Sequence, residues 1–302
     1  MSLFTRSSKE GQREDDEEMK KGKGLKKYHL FYSLFKKYHF RPKKQLGQNF
    51  LIDKRVVKDL IRAAELKKEE TVLEVGPGLG SITEELVKIA KKVIVVEKDK
   101  RLIEILKNNL EQHLAPDYLK RRVKIIYGDI LKFNPKRYSL NAKRYKIVAN
   151  PPYCIICPLI KKFLQDKDPP KLMVLLVQKE VAERMCAKPP KMSLLSVTVQ
   201  LFSKIEIVKM VKKESFFPEP KVDSSIVRIK PLRKSKLIDL DLFFKIVKTG
   251  FSHPRKQLKN NLKEIFGNKT ERILKQTGID SYRRAETLSL EEWILLAKNF
   301  KK

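Results

Sequence analysis

Residues 71–80 read Thr71-Val72-Leu73-Glu74-Val75-Gly76-Pro77-Gly78-Leu79-Gly80. A short run rich in branched apolar side chains ends in glycines at alternate positions. This pattern predicts a buried strand entering a turn tight enough for backbone to approach a ligand closely. The rhythm then changes to helical spacing over residues 81–90, with Ser81 placed to cap that helix. A strand, a glycine turn and a helix in succession form the opening unit of a nucleotide-binding α/β sheet.

Working outward, the same alternation repeats. Strands are predicted at 92–97, 123–127, 145–149 and 172–178, with helices at 100–112 and 179–186. The predicted fold is therefore α/β, a doubly wound and mostly parallel sheet. Residues 194–202 suit a helix or a strand. Late strands are expected at 208–212 and 225–230. From about residue 240 the spacing is helical, over 242–249, 255–266, 271–276 and 290–300. This gives three segments. Residues 1–40 are a polar, disordered extension. Residues 41–232 are the α/β domain, and 233–302 a small helical domain. Residues 24–44 mix lysines with Tyr28, Phe31, Tyr32, Phe35, Tyr38 and Phe40, and read equally as an arm that orders on RNA or as a helix packed on the body.

The chain has 302 residues, 68 Lys+Arg, 36 Asp+Glu and a formal net charge of +32. The excess is not confined to a tail: residues 41–202 carry +16 and residues 203–302 carry +12, against +4 in residues 1–40. A positive field spread over a folded body attracts a polyanion, and nucleic acid fits best. The longest aliphatic run, Leu172–Val177, is far below the ~20 residues of a membrane span. The acidic cluster at 14–18 and the lack of an apolar leader predict no export signal. Three cysteines are too few for a disulfide framework, so a reducing cytoplasm is expected. Cys154 and Cys157 form a lone C-x-x-C with no partner set for zinc. No metal is expected, and both thiols are read as half-buried.

In an open α/β sheet, ligands bind outside the carboxyl ends of the strands. Gly76 and Gly78 close the first strand. Glu97 closes the second, 21 residues after Gly76, where a carboxylate suits a ribose diol. The G-x-G-x-G spacing leaves a nicotinamide dinucleotide and S-adenosylmethionine equally open. Asp129, after the third strand, is placed to accept from an adenine amino group. Asn150-Pro151-Pro152-Tyr153, after the fourth, decides for methyl transfer. A conjugated amino nitrogen has its lone pair delocalised. It becomes nucleophilic when fixed acceptors draw on its protons. The Asn150 side-chain oxygen and the Pro151 carbonyl are such acceptors on a proline-stiffened backbone, and Tyr153 offers a stacking face. The cofactor expected is S-adenosyl-L-methionine, with Asn150, Pro151, Pro152 and Tyr153 as catalytic residues.

Further motifs extend the pattern. These are residues 43–51 (Lys43-Lys44-Gln45-Leu46-Gly47-Gln48-Asn49-Phe50-Leu51), Gln178–Val181, Phe217–Ser224, Phe251–Leu258 and Arg284–Ser289. In this order and spacing, over about residues 41–300, the chain resembles the ribosomal RNA adenine dimethyltransferases of the KsgA type. The resemblance implies a Rossmann-like class I methyltransferase domain with a helical C-terminal rRNA-binding domain. It implies dimethylation of two adjacent adenines near the 3′ end of small-subunit rRNA, in a pre-30S-type particle, by a cytoplasmic monomer. It carries cofactor contacts onto Asn49, Leu51, Gly76, Glu97, Asp129 and Asn150. Arg255 and Lys256, in the basic stretch opening a C-terminal helix, are the RNA-binding candidates. The family usually has Leu or Ile in place of Pro151 and polar residues in place of Cys154 and Cys157. Three competing readings share the loop or the fold: a large-subunit rRNA dimethyltransferase, a glutamine methyltransferase acting on a release factor, and a non-catalytic assembly factor. The first is disfavoured by the residue 76–80 turn and the residue 218–224 segment, the second by the charge, and the third by the intact Glu97, Asp129 and Asn150.

Overall fold

The structure, a computed structural model, describes residues 35–43, 47–140, 145–232 and 239–300. The part of the expected extension before residue 35 lies outside them.

Seven strands form one sheet. They are β2 (Thr71–Val75), β3 (Lys92–Glu97), β4 (Val123–Tyr127), β5 (Tyr145–Ala149), β6 (Leu172–Gln178), β7 (Ser203–Val211) and β9 (Ser224–Pro231), in the order β4-β3-β2-β5-β6-β9-β7. The first five run parallel, while β9 pairs antiparallel with both β6 and β7. A two-residue β1 (Phe50–Leu51) pairs antiparallel with β8 (Phe216–Phe217). The chain winds from β2 out to β4, then returns to place β5 on the other side of β2. The crevice at a change of winding direction therefore opens between the carboxyl ends of β2 and β5.

Helices cover both faces, which is why the parallel strands read as nearly unbroken apolar runs. One face carries α1 (Lys54–Ala63), α2 (Ser81–Ile89) and α3 (Lys100–His113), with Leu60, Leu86 and Leu106 fully buried against Val72, Val93 and Val174. A short α4 (Pro116–Arg122) precedes β4. The other face carries α5 (Ile156–Gln165), α6 (Lys179–Met185) and α7 (Leu194–Phe202), packed on Leu73, Ile147 and Met173. The residue 194–202 ambiguity resolves to a helix. Ser193 and Ser196 form a reciprocal capping box that starts it. The predicted cap at Ser81 is displaced: the cap residue is Gly80, and the Ser81 hydroxyl instead donates to the Leu51 carbonyl at 3.1 Å.

The C-terminal helices are α8 (Leu240–Gly250), α9 (Leu258–Phe266), α10 (Thr270–Gln276) and α11 (Leu290–Asn299). They pack around Trp293, Phe243 and Leu262, and this cluster also takes in Met192 and Val197 from the α/β part. The boundary expected near residue 232 adjoins residues 233–238, outside the described ones. Packing also extends ahead of the start expected at residue 41. Phe35 and Phe40 are buried against Phe50, Leu79, Leu102 and Ile105, because these rings cover the apolar side of α3 next to the glycine turn. Within the described residues the aromatic segment is thus packed on the body.

One buried ion cluster ties α1 to the sheet. The Lys146 ammonium on β5 donates to the carbonyls of Ala64 (2.9 Å) and Glu65 (2.7 Å), just past the helix end, and pairs with Glu70 at 2.8 Å. Burial alone would raise the Glu70 pKa. Hydrogen bonds from Lys146, Lys171 and the Lys67 amide outweigh it and hold it down at about 2. A depressed carboxyl stabilises the fold above its unfolded pKa, and that contribution is lost as pH falls toward the folded value. Between about pH 4.5 and 2 the protein should lose about 2–3 kcal/mol through this group. Glu70→Gln should remove that pH dependence. It should also cost about 3–5 kcal/mol at neutral pH by stranding the buried ammonium. Urea unfolding of both proteins across this pH range checks it; parallel curves would exclude Glu70 as the titrating group.

Candidate active site

Every cofactor and catalytic candidate from the sequence lines one cavity of about 220 Å³ at the β2–β5 crevice. Three layers of backbone shape it. The Gly76 amide bonds the Val96 carbonyl at 3.0 Å and the Gly128 amide bonds the Glu97 carbonyl at 2.9 Å, so the ends of β2, β3 and β4 are laced together. Gly76 and Gly78 have φ of +64° and +58°. A Cβ on Gly78 would stand 2.8 Å from the Phe50 ring, so both its conformation and its close approach require glycine.

Glu97 is buried, and its Oε1 accepts from the amides of Lys98 and Asp99, both at 2.8 Å. Burial pushes its pKa up, while those amides and that of Gly78 pull it down; the net direction is upward. The carboxylate thus also holds the glycine turn. Asp129 accepts from Lys98 Nζ at 2.9 Å and from the Leu131 amide at 2.9 Å. The Lys98 hydrogen bond is the main reason its pKa lies low. Asp129 at the cavity wall is therefore a paired, ionised acceptor.

Asn49 and Leu51 enter from the other side, through β1. The Asn150 amide nitrogen donates to the Asn49 carbonyl at 3.0 Å. That bond fixes the amide and leaves Oδ1 as its acceptor face, with no hydrogen bond among the described residues. Pro151 is buried and Pro152 half-buried. Tyr153 begins a short helical turn, and its hydroxyl shares a 2.7 Å hydrogen bond with Ser224 Oγ on β9. Burial raises its pKa. The hydroxyl is thus an anchor that sets the ring's orientation. The expectation for the two thiols is corrected: Cys154 and Cys157 are both exposed, Cys154 in the lining of the open cavity and Cys157 in the first turn of α5. Among the described residues no group of three or more His, Cys, Asp or Glu is placed to hold a metal.

Several neighbours escaped the sequence reading. Glu74 is fully buried under the glycine turn and accepts from Thr83 Oγ1 at 2.6 Å. Burial pushes its pKa up to about 8, so it is neutral at pH 7. An acid inside an otherwise apolar strand was the available signal. Gln48 donates to Asp99 at 3.1 Å, tying the segment before β1 to the start of α3. Ser224 closed one of the quoted motifs, but nothing local tied it to Tyr153, because only the antiparallel return of β9 brings the two together.

Arg255 and Lys256 lie far along the chain and do not line the cavity. The expected helix start at Arg255 is corrected: α9 begins at Leu258, and both residues occupy an exposed turn. The amides of Leu258 and Lys259 bond the carbonyls of Arg283 (2.7 Å) and Ser281 (3.3 Å), a tertiary contact that sets where the helix starts. Buried Asn261 pins this turn through the carbonyls of Gly250 and His253. The contact brings exposed Arg284 alongside, and Tyr282, whose ring lies 4.1 Å from Lys259 Nζ.

A model of the ribosomal RNA adenine dimethylase family matches residues 39–302. The chain belongs to this family. It is 40% identical over 263 residues to the ribosomal RNA small subunit methyltransferase A of Clostridium botulinum (strain Kyoto), covering 85% of this chain and 93% of that one. It is 37% identical over 278 residues to the protein of the same name from Oceanobacillus iheyensis, covering 87% and 92%. The fold resembles a dimethyladenosine transferase from Plasmodium falciparum (TM-score 0.67, 28% identity, 82% of this chain and 95% of that one). It also resembles the 23S rRNA methyltransferase ErmE (TM-score 0.66, 25% identity, 83% and 99%). The Rossmann-like class I methyltransferase fold and the family's rRNA dimethylase activity follow from this membership.

Gly78→Ala should cost about 1–2 kcal/mol for the left-handed backbone alone, with added strain against Phe50. Thermal unfolding should register this, together with a loss of S-adenosylmethionine affinity in calorimetry. Unchanged values for both would mean the turn relaxes freely.

Proposed function

We propose that this chain uses S-adenosyl-L-methionine to dimethylate the 6-amino groups of two adjacent adenines near the 3′ end of small-subunit rRNA. We further propose that it acts as a monomer on a pre-30S-type particle. The observation that carries the reading is the Asn150 amide, which lines the cavity and is anchored by its nitrogen on the Asn49 carbonyl. The sequence relatives at 37–40% identity support the small subunit.

The cavity suits the cofactor in its donor set. Gly76 and Gly78 give close backbone approach, Glu97 an acceptor for paired hydroxyls, Asp129 an acceptor for an amino group, and Asn49 and Leu51 the facing wall. When bound, the cofactor supplies an activated methyl group. The protein's part is alignment and polarisation. Asn150 Oδ1 and the Pro151 carbonyl accept from the adenine amino protons, raising electron density on the nitrogen. Tyr153, steadied by Ser224, supports the base. No strong general base is needed, because the methylated nitrogen becomes acidic and releases its proton to solvent.

Asn150→Ala should bind small-subunit particles nearly as well as the parent but methylate them at least about a hundredfold more slowly, since the lost acceptor acts in the transition state. Asn150→Asp should keep part of the rate. Single-turnover methylation beside particle binding tests this; near-normal turnover in a folded Asn150→Ala protein would reject the mechanism.

The exposed turn carrying Arg255 and Lys256 is the proposed rRNA contact. Together with Arg284 and the Lys259–Tyr282 pair it forms a basic face with an aromatic ring. Phosphate contacts release counterions, at about 0.9 per contact on duplex DNA. Replacing Arg255 and Lys256 by Gln should lower the salt dependence of rRNA binding by a little under two ions. An unaltered slope in filter binding across salt concentrations would remove them from the interface.

A further inference from the structure

Cys154 and Cys157 stand beside the proposed target loop and take no part in the chemistry above. Both are free and exposed. Cys154 lies in the turn Tyr153–Ile155 and lines the cavity, while Cys157 sits in the first turn of α5. Between them, Ile155 (φ −101°, ψ −2°) and Ile156 (φ −57°, ψ −53°) are both right-handed helical. Helical geometry places residues three apart at about 5 Å between Cα atoms, inside the roughly 4.4–6.8 Å a disulfide spans. Their Cβ atoms would start about 5–6 Å apart, whereas a disulfide holds them at about 3.5–4.5 Å. Closure therefore requires an approach of about 1 Å or a little more, and a strained bond of this kind is readily reduced.

The two thiols differ in surroundings. Cys154 is exposed and lines the cavity beside Lys98, where a small disulfide can reach its sulfur. Packing around Cys157 pushes its thiol above the usual range. An exposed attacking thiol followed three residues later by a protonated resolving thiol, at the start of a helix, is the arrangement that exchanges with disulfides.

We propose that Cys154 and Cys157 form a redox-active dithiol site for low-molecular-weight disulfides, and that its oxidation halts methyl transfer. The Cys154 thiolate attacks one sulfur of the small disulfide. A mixed disulfide forms, and one thiolate leaves. Cys157 releases its proton to solvent and attacks the Cys154 sulfur. The second thiolate leaves, and both departing thiolates are protonated. The two protein thiols lose two electrons, and the small disulfide gains them. Cys154 follows Tyr153 directly, and Tyr153 is fixed on Ser224, while the Ile155 amide bonds the Pro152 carbonyl at 3.0 Å. Drawing Cys154 toward Cys157 thus displaces the turn that carries the Asn150–Tyr153 loop and spoils its alignment.

The test uses the full chain in glutathione buffers of increasing oxidised fraction. Peptide mass mapping follows the thiols, and methylation of small-subunit particles follows the consequence. The expected result is a Cys154–Cys157 disulfide with Cys186 still free. Methylation should fall at least tenfold and return on adding a dithiol reductant. Cys157→Ser should match the parent's methylation when reduced and, when oxidised, should hold glutathione on Cys154. Two results would overturn the proposal: both thiols staying free in fully oxidised glutathione, or an internal disulfide that leaves methylation unchanged. The activity arm rests on the function proposed above, whereas the thiol mapping does not. A disulfide forming in a chain that is inactive even when reduced would support the dithiol site and reject that function.

Discussion

The parallel pairing of β2 with β5, Thr71 opposite Tyr145 and Leu73 opposite Ile147, is the constraint from which the site follows. It makes the chain reverse its direction of winding beside β2. Helices on either side of that point leave in opposite directions, so no crossover fills the space above the two strand ends. The glycine turn after β2 and the Asn150–Tyr153 loop after β5 therefore face each other across the crevice. The cavity and the proposed target-base loop are brought together by a single backbone decision.

Fixed acceptors need fixed supports, and the supports differ in kind. Asn150 is held by the backbone carbonyl of Asn49, the residue just before β1, which is itself paired with β8. Tyr153 is held by a hydroxyl on β9. The antiparallel tail of the sheet thus braces a site whose reacting groups all sit on its parallel part. Electrostatics are arranged with similar economy. Two buried acids lie close to the glycine turn, and each raises the cost of charging the other. Burial leaves Glu74 neutral at pH 7, and backbone amides stabilise the charge on Glu97. Neutralising Glu74 spares Glu97 the repulsion of a second buried anion.

The helical C-terminal part is not an independent appendage. Met192 and Val197 enter its apolar cluster, and the Met192 amide bonds the Glu286 carbonyl at 2.9 Å. Burying apolar side chains from both parts in one cluster couples their orientations. The exposed basic turn at Arg255 is consequently held at a set position relative to the α/β part.

Much of this was legible in residue order. Periodicity located β2 to β6 to the residue: β2, β3, β5 and β6, buried on both faces, must be largely apolar, and the half-exposed edge strand β4 still carries a short β-branched run between turn residues. The strand ends pointed to the cavity, since ligands in this fold bind outside the carboxyl ends of the strands, and Gly76, Glu97, Asp129 and Asn150, which line it, were each visible as a polar or glycine residue closing an apolar run. Local sequence fell short wherever a distant partner decides. Ser81 could have capped its helix, but the Leu51 carbonyl was a better partner than a turn already closed by Gly80. Helix α9 could have begun at Arg255, but the carbonyls of Ser281 and Arg283 captured its first amides. Ser224 became the anchor for Tyr153, and Phe35 and Phe40 joined the body, through contacts across tens or more of residues. Periodicity records what a segment must hide from water. Which particular group satisfies each buried donor and acceptor is settled only when the chain has closed on itself.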